Sequence, residues 1–137
     1  MASIEGLNEL TSKMQKLERA LDMQEPLQQA CAVVEATAKR KCPVDDGTLR
    51  NSITSEIVGD VGYVGTNVEY GPYVEYGTGI YAVNGNGRQT PWVYCDAKGN
   101  FYTTVGQHPQ PFLEPALAEN IDVITQIFAD HIEEALR

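Results

Sequence analysis

The chain of 137 residues is 42% hydrophobic and 21% charged, a composition typical of one globular domain and not of a disordered protein. Its 19 acidic and 10 basic side chains give a net charge of −9, which argues against a protein that wraps nucleic acid through phosphate contacts. No apolar run approaches the roughly 18 residues of a membrane span, and the polar, acidic N-terminus is unlike a signal peptide, so we expect a cytosolic protein without membrane contacts.

The N-terminal part of the chain predicts two helices, over about residues 4–23 and 25–41. Pro26 marks the start of the second helix because proline is tolerated in a first turn, and Pro43 stops it after a basic last turn. The buried face of the second helix should comprise Leu27, Ala30, Cys31, Val34 and Ala38. The first helix carries a narrow apolar stripe that packs against the neighbouring helix or against a partner subunit, namely Leu7, Leu10, Met14, Leu17 and Leu21.

Four short segments rich in β-branched and aromatic residues predict strands, over about residues 52–58, 61–66, 91–95 and 100–105. Gly59-Asp60 joins the first pair into a hairpin, and Asp96-Ala97-Lys98-Gly99 joins the second. Between the hairpins, residues 84–90 contain two Asn-Gly steps and no apolar residue. We expect an exposed, mobile loop there, comprising Asn84, Gly85, Asn86, Gly87 and Arg88.

The C-terminal part predicts one long helix over about residues 112–136, whose outer face is acidic. Over residues 113–137, six acids against Arg137 give a net charge of −5. Its buried stripe should comprise Leu113, Leu117, Ile121, Ile124, Phe128, Ile132 and Ala135. The order of elements indicates a single α+β domain over residues 1–137, in which two N-terminal helices and the long C-terminal helix pack against an antiparallel sheet of about four strands.

Three cysteines, Cys31, Cys42 and Cys95, form no Cys-x-x-Cys pair. An odd number without close pairing is a poor disulfide framework and gives no sign of a zinc site. We expect each to be a small, buried, structural thiol.

No group of residues supplies a convincing active site. The two histidines qualify by residue type alone, since His131 lies late in the last helix and His108 lies in a proline-rich loop. A grouping of Cys42, His108 and Asp46 can be drawn, but nothing in the spacing supports it. The chain also lacks the carboxylate spacing of a calcium loop and the glycine loop that binds phosphate. We therefore expect no enzyme activity, no catalytic residue, no metal and no cofactor.

Residues 68–77 contain the step Val-Glu-Tyr-Gly twice, on either side of Pro72. We expect the first copy to finish a strand, and the second to form a one-turn helix that Pro72 opens and Gly77 caps. Tyr73 and Tyr76 would share a face of this turn, at a core edge or at a subunit interface. Glu69 and Glu75 would lie outside as polar partners.

Three motifs in this order resemble those of a phage tail-component family, whose members are also called minor capsid or tail-completion proteins. They are CPVDDGTLRNSI at residues 42–53, NVEYGPYVEYGTG at residues 67–79 and GQHPQPFLEPAL at residues 106–117. Compared with the family pattern, Asp46 stands where threonine is usual and Gly71 replaces alanine. Residues 84–90 and the hairpin after them look like an insertion.

The resemblance implies a non-enzymatic building block of a long-tailed bacteriophage or prophage, located at the neck or the tail end and often arranged as a ring. Its partners would be further copies of itself and neighbouring neck, tail-terminator or tail-tube proteins, in a virion assembled in the cytoplasm of the bacterial host. We expect the subunit interface at Tyr73, Glu75, Tyr76 and Thr78, while DNA passes the acidic last helix without specific binding.

A second interpretation is a small, non-catalytic module with the same fold that binds a ligand or a partner. The residues that would hold a ligand are exposed aromatics of the second hairpin: Trp92, Tyr94, Phe101 and Tyr102. Packing within the hairpin is the simpler role for these side chains.

Overall fold

In the computed structural model, which describes residues 3–44, 47–95 and 98–137, helices alternate with two β-hairpins. The predicted mixed α+β class is confirmed. The elements are α1 (Ser3–Leu21), α2 (Gln24–Lys41), α3 (Thr48–Ser52), β1 (Thr54–Val58), β2 (Val61–Gly65), α4 (Gly71–Tyr76), a 3-10 turn (Gly79–Tyr81), β3 (Trp92–Cys95), β4 (Phe101–Thr104), α5 (Leu113–Glu119) and α6 (Ile121–Leu136).

The four predicted strands form two separate antiparallel sheets, and not the single sheet of four strands that we expected. Within the described residues β1 pairs only with β2, from Thr54 opposite Gly65 to Val58 opposite Val61. Strand β3 pairs only with β4. Within each hairpin the two strands hydrogen-bond to one another. The chain between the hairpins forms α4 and the 3-10 turn and does not bring β3 beside β2.

Residues 48–52 form the helical turn α3, so the prediction of a strand beginning at residue 52 is wrong by two residues. Leu49 and Ile53 are both buried, and their spacing of four places both on the same side of a helical turn. A short apolar run does not distinguish strand from helix by its periodicity. The other strand boundaries agree with the predicted ones to within one residue.

The predicted C-terminal helix is interrupted at Asn120, which separates α5 from α6. The Asn120 side-chain amide donates to the Ala116 carbonyl oxygen at 2.7 Å and to the Thr37 hydroxyl of α2 at 2.9 Å. Its backbone lies at φ −104° and ψ 9°, outside the helical range. The interruption therefore lies where a side-chain hydrogen bond joins the C-terminal segment to α2.

The core is small and lies between α2, α3 and the start of the C-terminal segment. Its buried members are Val34, Ala38, Cys42, Leu49, Ile53, Phe112 and Ala116. The predicted buried face of α2 is largely confirmed, since Ala30, Cys31, Val34 and Ala38 are buried. The predicted stripe of the last helix is only partly buried, because Leu117, Ile121 and Ile132 are exposed.

The cysteines fall into two environments. Cys31 and Cys42 are buried, as expected, whereas Cys95 lies exposed on β3, so the prediction of burial is wrong for Cys95. Burial raises the pKa of the Cys31 thiol, and the nearby Glu35 carboxylate raises it further. Burial also raises the pKa of the Cys42 thiol, against the opposing effect of the Arg50 charge.

Helix α1 packs against α6 but leaves its apolar stripe uncovered. The five side chains of the stripe retain between 52% and 68% of their accessible surface. Of the described side chains of α1, only Ala20 is buried. None of the helices in the described part of the chain has the length and apolar character that a membrane crossing needs.

Candidate functional site

The second Val-Glu-Tyr-Gly step forms the short helix α4, as predicted. Pro72 lies at its start, and Gly77 ends it at φ 81°, where its N–H donates to the Tyr73 carbonyl oxygen at 2.9 Å. A side chain is strained at this backbone geometry, and a Cβ there would also lie 2.9 Å from the Tyr81 carbonyl oxygen. The glycine is therefore required by the turn.

The first Val-Glu-Tyr step does not finish a strand, because β2 ends at Gly65. Thr66 turns the chain: its hydroxyl contacts the Ser52 hydroxyl and accepts the Val68 N–H at 3.1 Å. The Gly71 N–H then donates to the Val68 carbonyl oxygen at 3.0 Å and closes a second turn. The prediction of a strand over this segment is wrong because the chain turns at the Thr66 hydroxyl and does not continue the hydrogen-bond ladder of β2.

Glu75 is buried, contrary to the expectation that it would lie outside. Its carboxylate accepts three backbone N–H groups at the start of α5, from Phe112 at 2.8 Å, Leu113 at 3.0 Å and Glu114 at 2.9 Å. These donors belong to the first turn of a helix, where no backbone acceptor is available. Glu75 therefore fixes α4 on α5, and with 5% of its surface exposed it offers little to a partner.

Tyr73 and Tyr76 project from α4 with 60% and 47% of their surface exposed, whereas Val74 packs on the core. With Pro72 they line a groove of about 550 Å³, which we call the loop groove. The structure thus brings three of the four predicted interface residues, Tyr73, Tyr76 and Thr78, into one surface.

The predicted 84–90 loop forms the other wall of the loop groove. Asn84, Asn86, Gly87 and Arg88 line it together with Trp92, and the Arg88 guanidinium lies 5.8 Å from the centre of the Trp92 ring. The loop is exposed, as predicted, and the Val83 N–H ties its first end to the Tyr76 carbonyl oxygen at 2.9 Å. Its mobility stays a prediction.

Thr78 holds the base of the loop groove against the chain that leaves β4. The Thr78 N–H donates to the Gln107 carbonyl oxygen at 2.9 Å, and the Thr78 hydroxyl accepts the Gln107 N–H at 2.9 Å. Gly79, at φ 60°, lies so close to this segment that a Cβ would overlap the Val105 carbonyl oxygen. Thr78 therefore already uses its N–H and its hydroxyl in hydrogen bonds within its own chain.

A second, larger groove of about 770 Å³ lies on the other side of α4, and we call it the core groove. Pro72 and Tyr76 line both grooves. The remaining walls come from α2, β2 and the α5–α6 segment, and include Leu27, Ala30, Val34, Val64, Leu117 and Phe128. Sequence analysis missed this groove because it depends on how four elements pack, which no local pattern encodes.

The aromatic residues of the second hairpin pack partly on one another. Tyr94 and Tyr102 lie opposite each other across the strands, with ring centres 5.4 Å apart. Phe101 and Tyr102 are exposed, and only Trp92 reaches the loop groove. The structure therefore does not gather the four aromatics into one pocket.

The two histidines have different surroundings. The His108 ring lies against Tyr81 with ring centres 3.8 Å apart, and Asp46 lies outside the described residues. His131 lies on α6, where its Nε2 atom is buried and has no hydrogen-bond partner among the described residues. Within the described ranges, no group of three His, Cys, Asp or Glu residues is placed to hold a metal ion.

A family model described as "Bacteriophage HK97-gp10, putative tail-component" matches residues 8–77, about half of the chain and including the first motif and most of the second. The chain belongs to this HK97-gp10-like family of phage tail components. Its place is accordingly the virion, in contact with other phage structural proteins. Neither a curated protein nor a solved structure matches the chain.

Proposed function

We propose that this tail component assembles as a ring at the head–tail junction or tail end, as a neck or tail-completion protein, and that it acts by recognition without catalysing a reaction. The observation that carries the proposal is the exposed edge of α4, where Tyr73 and Tyr76 stand beside two open grooves. Exposed tyrosines on a fixed backbone are favourable for protein contact because they bury a large area with few rotatable bonds.

In this proposal, Tyr73, Tyr76 and Thr78 contact a neighbouring protein, and Glu75 acts indirectly by holding α4 on α5. The contact between copies joins two different surfaces, which is the kind of interface that closes into rings. The 84–90 loop becomes ordered against the neighbouring neck, tail-terminator or tail-tube protein.

The α5–α6 segment would face the channel through which DNA passes. The net charge over residues 113–137 is −5, and four of the six acids are exposed on α6: Asp122, Asp130, Glu133 and Glu134. A wall of this sign repels a phosphate backbone, so DNA slides past without specific binding.

The role in joining heads to tails is tested by deleting the gene in the phage or prophage that encodes this chain. We expect negative-stain electron microscopy of the lysate to show heads and tails that fail to join or to be completed, and a plasmid copy of the gene to restore complete particles. Complete, infectious particles without the gene would contradict the proposal.

The Tyr76→Ala variant tests the α4 edge within the same assay. Tyr94→Ala is a matched control, since Tyr76 and Tyr94 expose 47% and 48% of their surface on different elements. We expect the Tyr76 variant to fold but to complete few particles, and the Tyr94 variant to behave as the wild type. Ring formation by itself is measured by native mass spectrometry, in which we expect a closed species of roughly six or twelve copies.

The loop groove supports a second candidate function, a module that binds a ligand. Its volume of about 550 Å³ lies within the range of small-molecule sites, and Trp92 and Arg88 line it. Trp92 is the only tryptophan of the chain, so its fluorescence reports on this groove directly. A saturable change in that fluorescence with a host small-molecule extract, in a protein that never assembles, would favour this candidate over the ring.

A further inference from the structure

The 84–90 loop contains the two Asn-Gly steps of the chain, Asn84-Gly85 and Asn86-Gly87. An asparagine loses its side-chain amide most readily before glycine, because glycine has no side chain that obstructs attack by its own backbone nitrogen. Both asparagines are exposed, and neither side chain has a hydrogen-bond partner among the described residues. The loop therefore presents two steps of the reactive type to solvent.

The two steps differ at the backbone nitrogen that would attack. The Gly85 N–H donates to the Ala82 carbonyl oxygen at 3.0 Å and closes a turn. The Gly87 N–H donates to no acceptor in the part of the chain that the structure describes. A bonded N–H must be released before it can lose its proton, which requires the turn to open locally. The fold thus holds back the reaction at Asn84 but not at Asn86.

We propose that Asn86 is a site of spontaneous deamidation. Solvent hydroxide removes the Gly87 N–H proton, and the nitrogen lone pair forms a bond to the Asn86 Cγ atom. The Cγ–Nδ2 bond then breaks, and the nitrogen leaves as ammonia with a proton from water, so a cyclic imide remains. One water opens this ring: cleavage of the new bond gives aspartate, and cleavage of the original peptide bond gives isoaspartate. The sum is one water consumed and one ammonia released, without oxidation or reduction.

Both products change the loop groove. Each places a carboxylate where a neutral amide lined the groove, two residues before Arg88, whose guanidinium lies 5.8 Å from the centre of the Trp92 ring. Isoaspartate also lengthens the main chain by one carbon immediately before Gly87. The backbone is closely packed at this point, since a Cβ on Gly87 would overlap the Gly79 carbonyl oxygen. The lengthened loop therefore shifts relative to the 3-10 turn.

The modification has a consequence for assembly that rests on the proposed function. Subunits that wait unassembled accumulate a loop of altered charge and length, on the surface that would order against a neighbouring protein. A loop already ordered in that contact cannot bring the Gly87 nitrogen onto the Asn86 side chain as freely. Deamidation would then limit the time for which a free subunit can still assemble.

The chemistry is tested on the purified full-length chain, kept at pH 8 and physiological temperature and sampled over days. Peptide mass spectrometry with fragmentation that distinguishes aspartate from isoaspartate gives the rate at each asparagine. In the folded chain we expect Asn86 to convert about fivefold faster than Asn84, because only the Gly85 N–H is hydrogen-bonded. In guanidinium chloride the two rates should be similar. Equal rates in the folded chain, or no conversion of Asn86, would overturn the inference.

The change in the loop groove is tested by the fluorescence of Trp92, the only tryptophan of the chain. Asn86→Gln removes the reactive step, because glutamine would have to close a larger ring, and Asn84→Gln is the matched control. On ageing, the fluorescence of the wild type and of the control should change in step with conversion of Asn86, while Asn86→Gln stays constant. An equal change in Asn86→Gln would show that deamidation does not remodel the groove.

The inference and the proposed ring fail in different ways. Both readouts use the isolated chain, so they decide the modification whether or not the chain assembles. In native mass spectrometry, we expect the aged wild type to form fewer closed species than aged Asn86→Gln. Equal assembly of the two would overturn the consequence for assembly alone, and complete particles after gene deletion would overturn the ring without touching the chemistry at Asn86.

Discussion

At the scale of single residues, Glu69 and Glu75 occupy the same place in the two Val-Glu-Tyr-Gly steps but lie in different environments. Glu69 is exposed in the turn before α4, whereas Glu75 is buried and accepts three backbone N–H groups of the next helix. A carboxylate that satisfies a helix start is stabilised both by hydrogen bonds and by the partial positive charge there. The two glutamates thus have different roles because only Glu75 faces α5.

Replacing Glu75 by alanine should lower the free energy of unfolding by about 2–4 kcal/mol, because buried backbone donors lose their acceptor. Glu69→Ala is the internal control and should change stability by less than about 0.5 kcal/mol. Urea denaturation followed by circular dichroism measures both. Equal effects of the two substitutions would mean that the Glu75 cap does not stabilise the fold.

The cysteines predict a difference in reactivity. Cys31 and Cys42 are buried and have raised pKa values, so at pH 8 they should react with iodoacetamide much more slowly than the exposed Cys95. Mass spectrometry of peptides over a time course measures the three rates. Because the fold disfavours their thiolates, the stability linked to these two groups is complete below about pH 8.5 and declines as the pH rises above it. Rapid labelling of Cys42 in the folded chain would contradict its burial.

At the scale of elements, α4 depends on the backbone geometry that ends it. Gly77 lies at φ 81° and ψ 173°, a region that is almost exclusive to glycine, and it is enclosed by Pro109, Tyr81 and Gln107. Gly77→Ala should therefore cost about 1–3 kcal/mol of stability and displace the Tyr76 edge.

Gly6→Ala is the matched control for Gly77→Ala, since a Cβ at Gly6 in α1 meets no atom within 4 Å. Alanine favours a helix over glycine, so this substitution should raise stability by up to about 1 kcal/mol. Thermal unfolding of both variants gives the comparison, and a neutral Gly77→Ala would show that α4 tolerates another ending.

The same elements show how much the sequence could predict. Periodicity predicted α1 and α2 to within two residues, and Pro72 with Gly77 predicted α4, because these signals are local. Local patterns could not predict that the two hairpins form separate sheets, since the pairing of β2 with β3 depends on the chain between the hairpins. Burial of Glu75 was equally hidden, because its three partners lie at least 37 positions further along the chain. The core groove requires four packed elements and has no local pattern at all.

At the scale of the whole molecule, the chain leaves many large apolar side chains exposed. The apolar stripe of α1, the core groove and the tyrosines of α4 are all open in the described structure, while the buried core holds few large side chains. In a member of a phage tail family, this distribution is expected of a subunit whose remaining stabilisation comes from neighbours.

The acidic face of α6 gives a prediction at this largest scale. A triple charge reversal, Asp122→Lys, Asp130→Lys and Glu134→Lys, changes exposed side chains of α6 and should leave folding and particle assembly intact. If this face lines the channel, the reversed wall attracts the phosphate backbone, so DNA release triggered in vitro should be slowed while particle numbers stay normal. Raising the salt concentration should reverse part of the delay, because exposed charges are screened. Unchanged release kinetics from well-assembled particles would contradict a position of the acidic face on the channel wall.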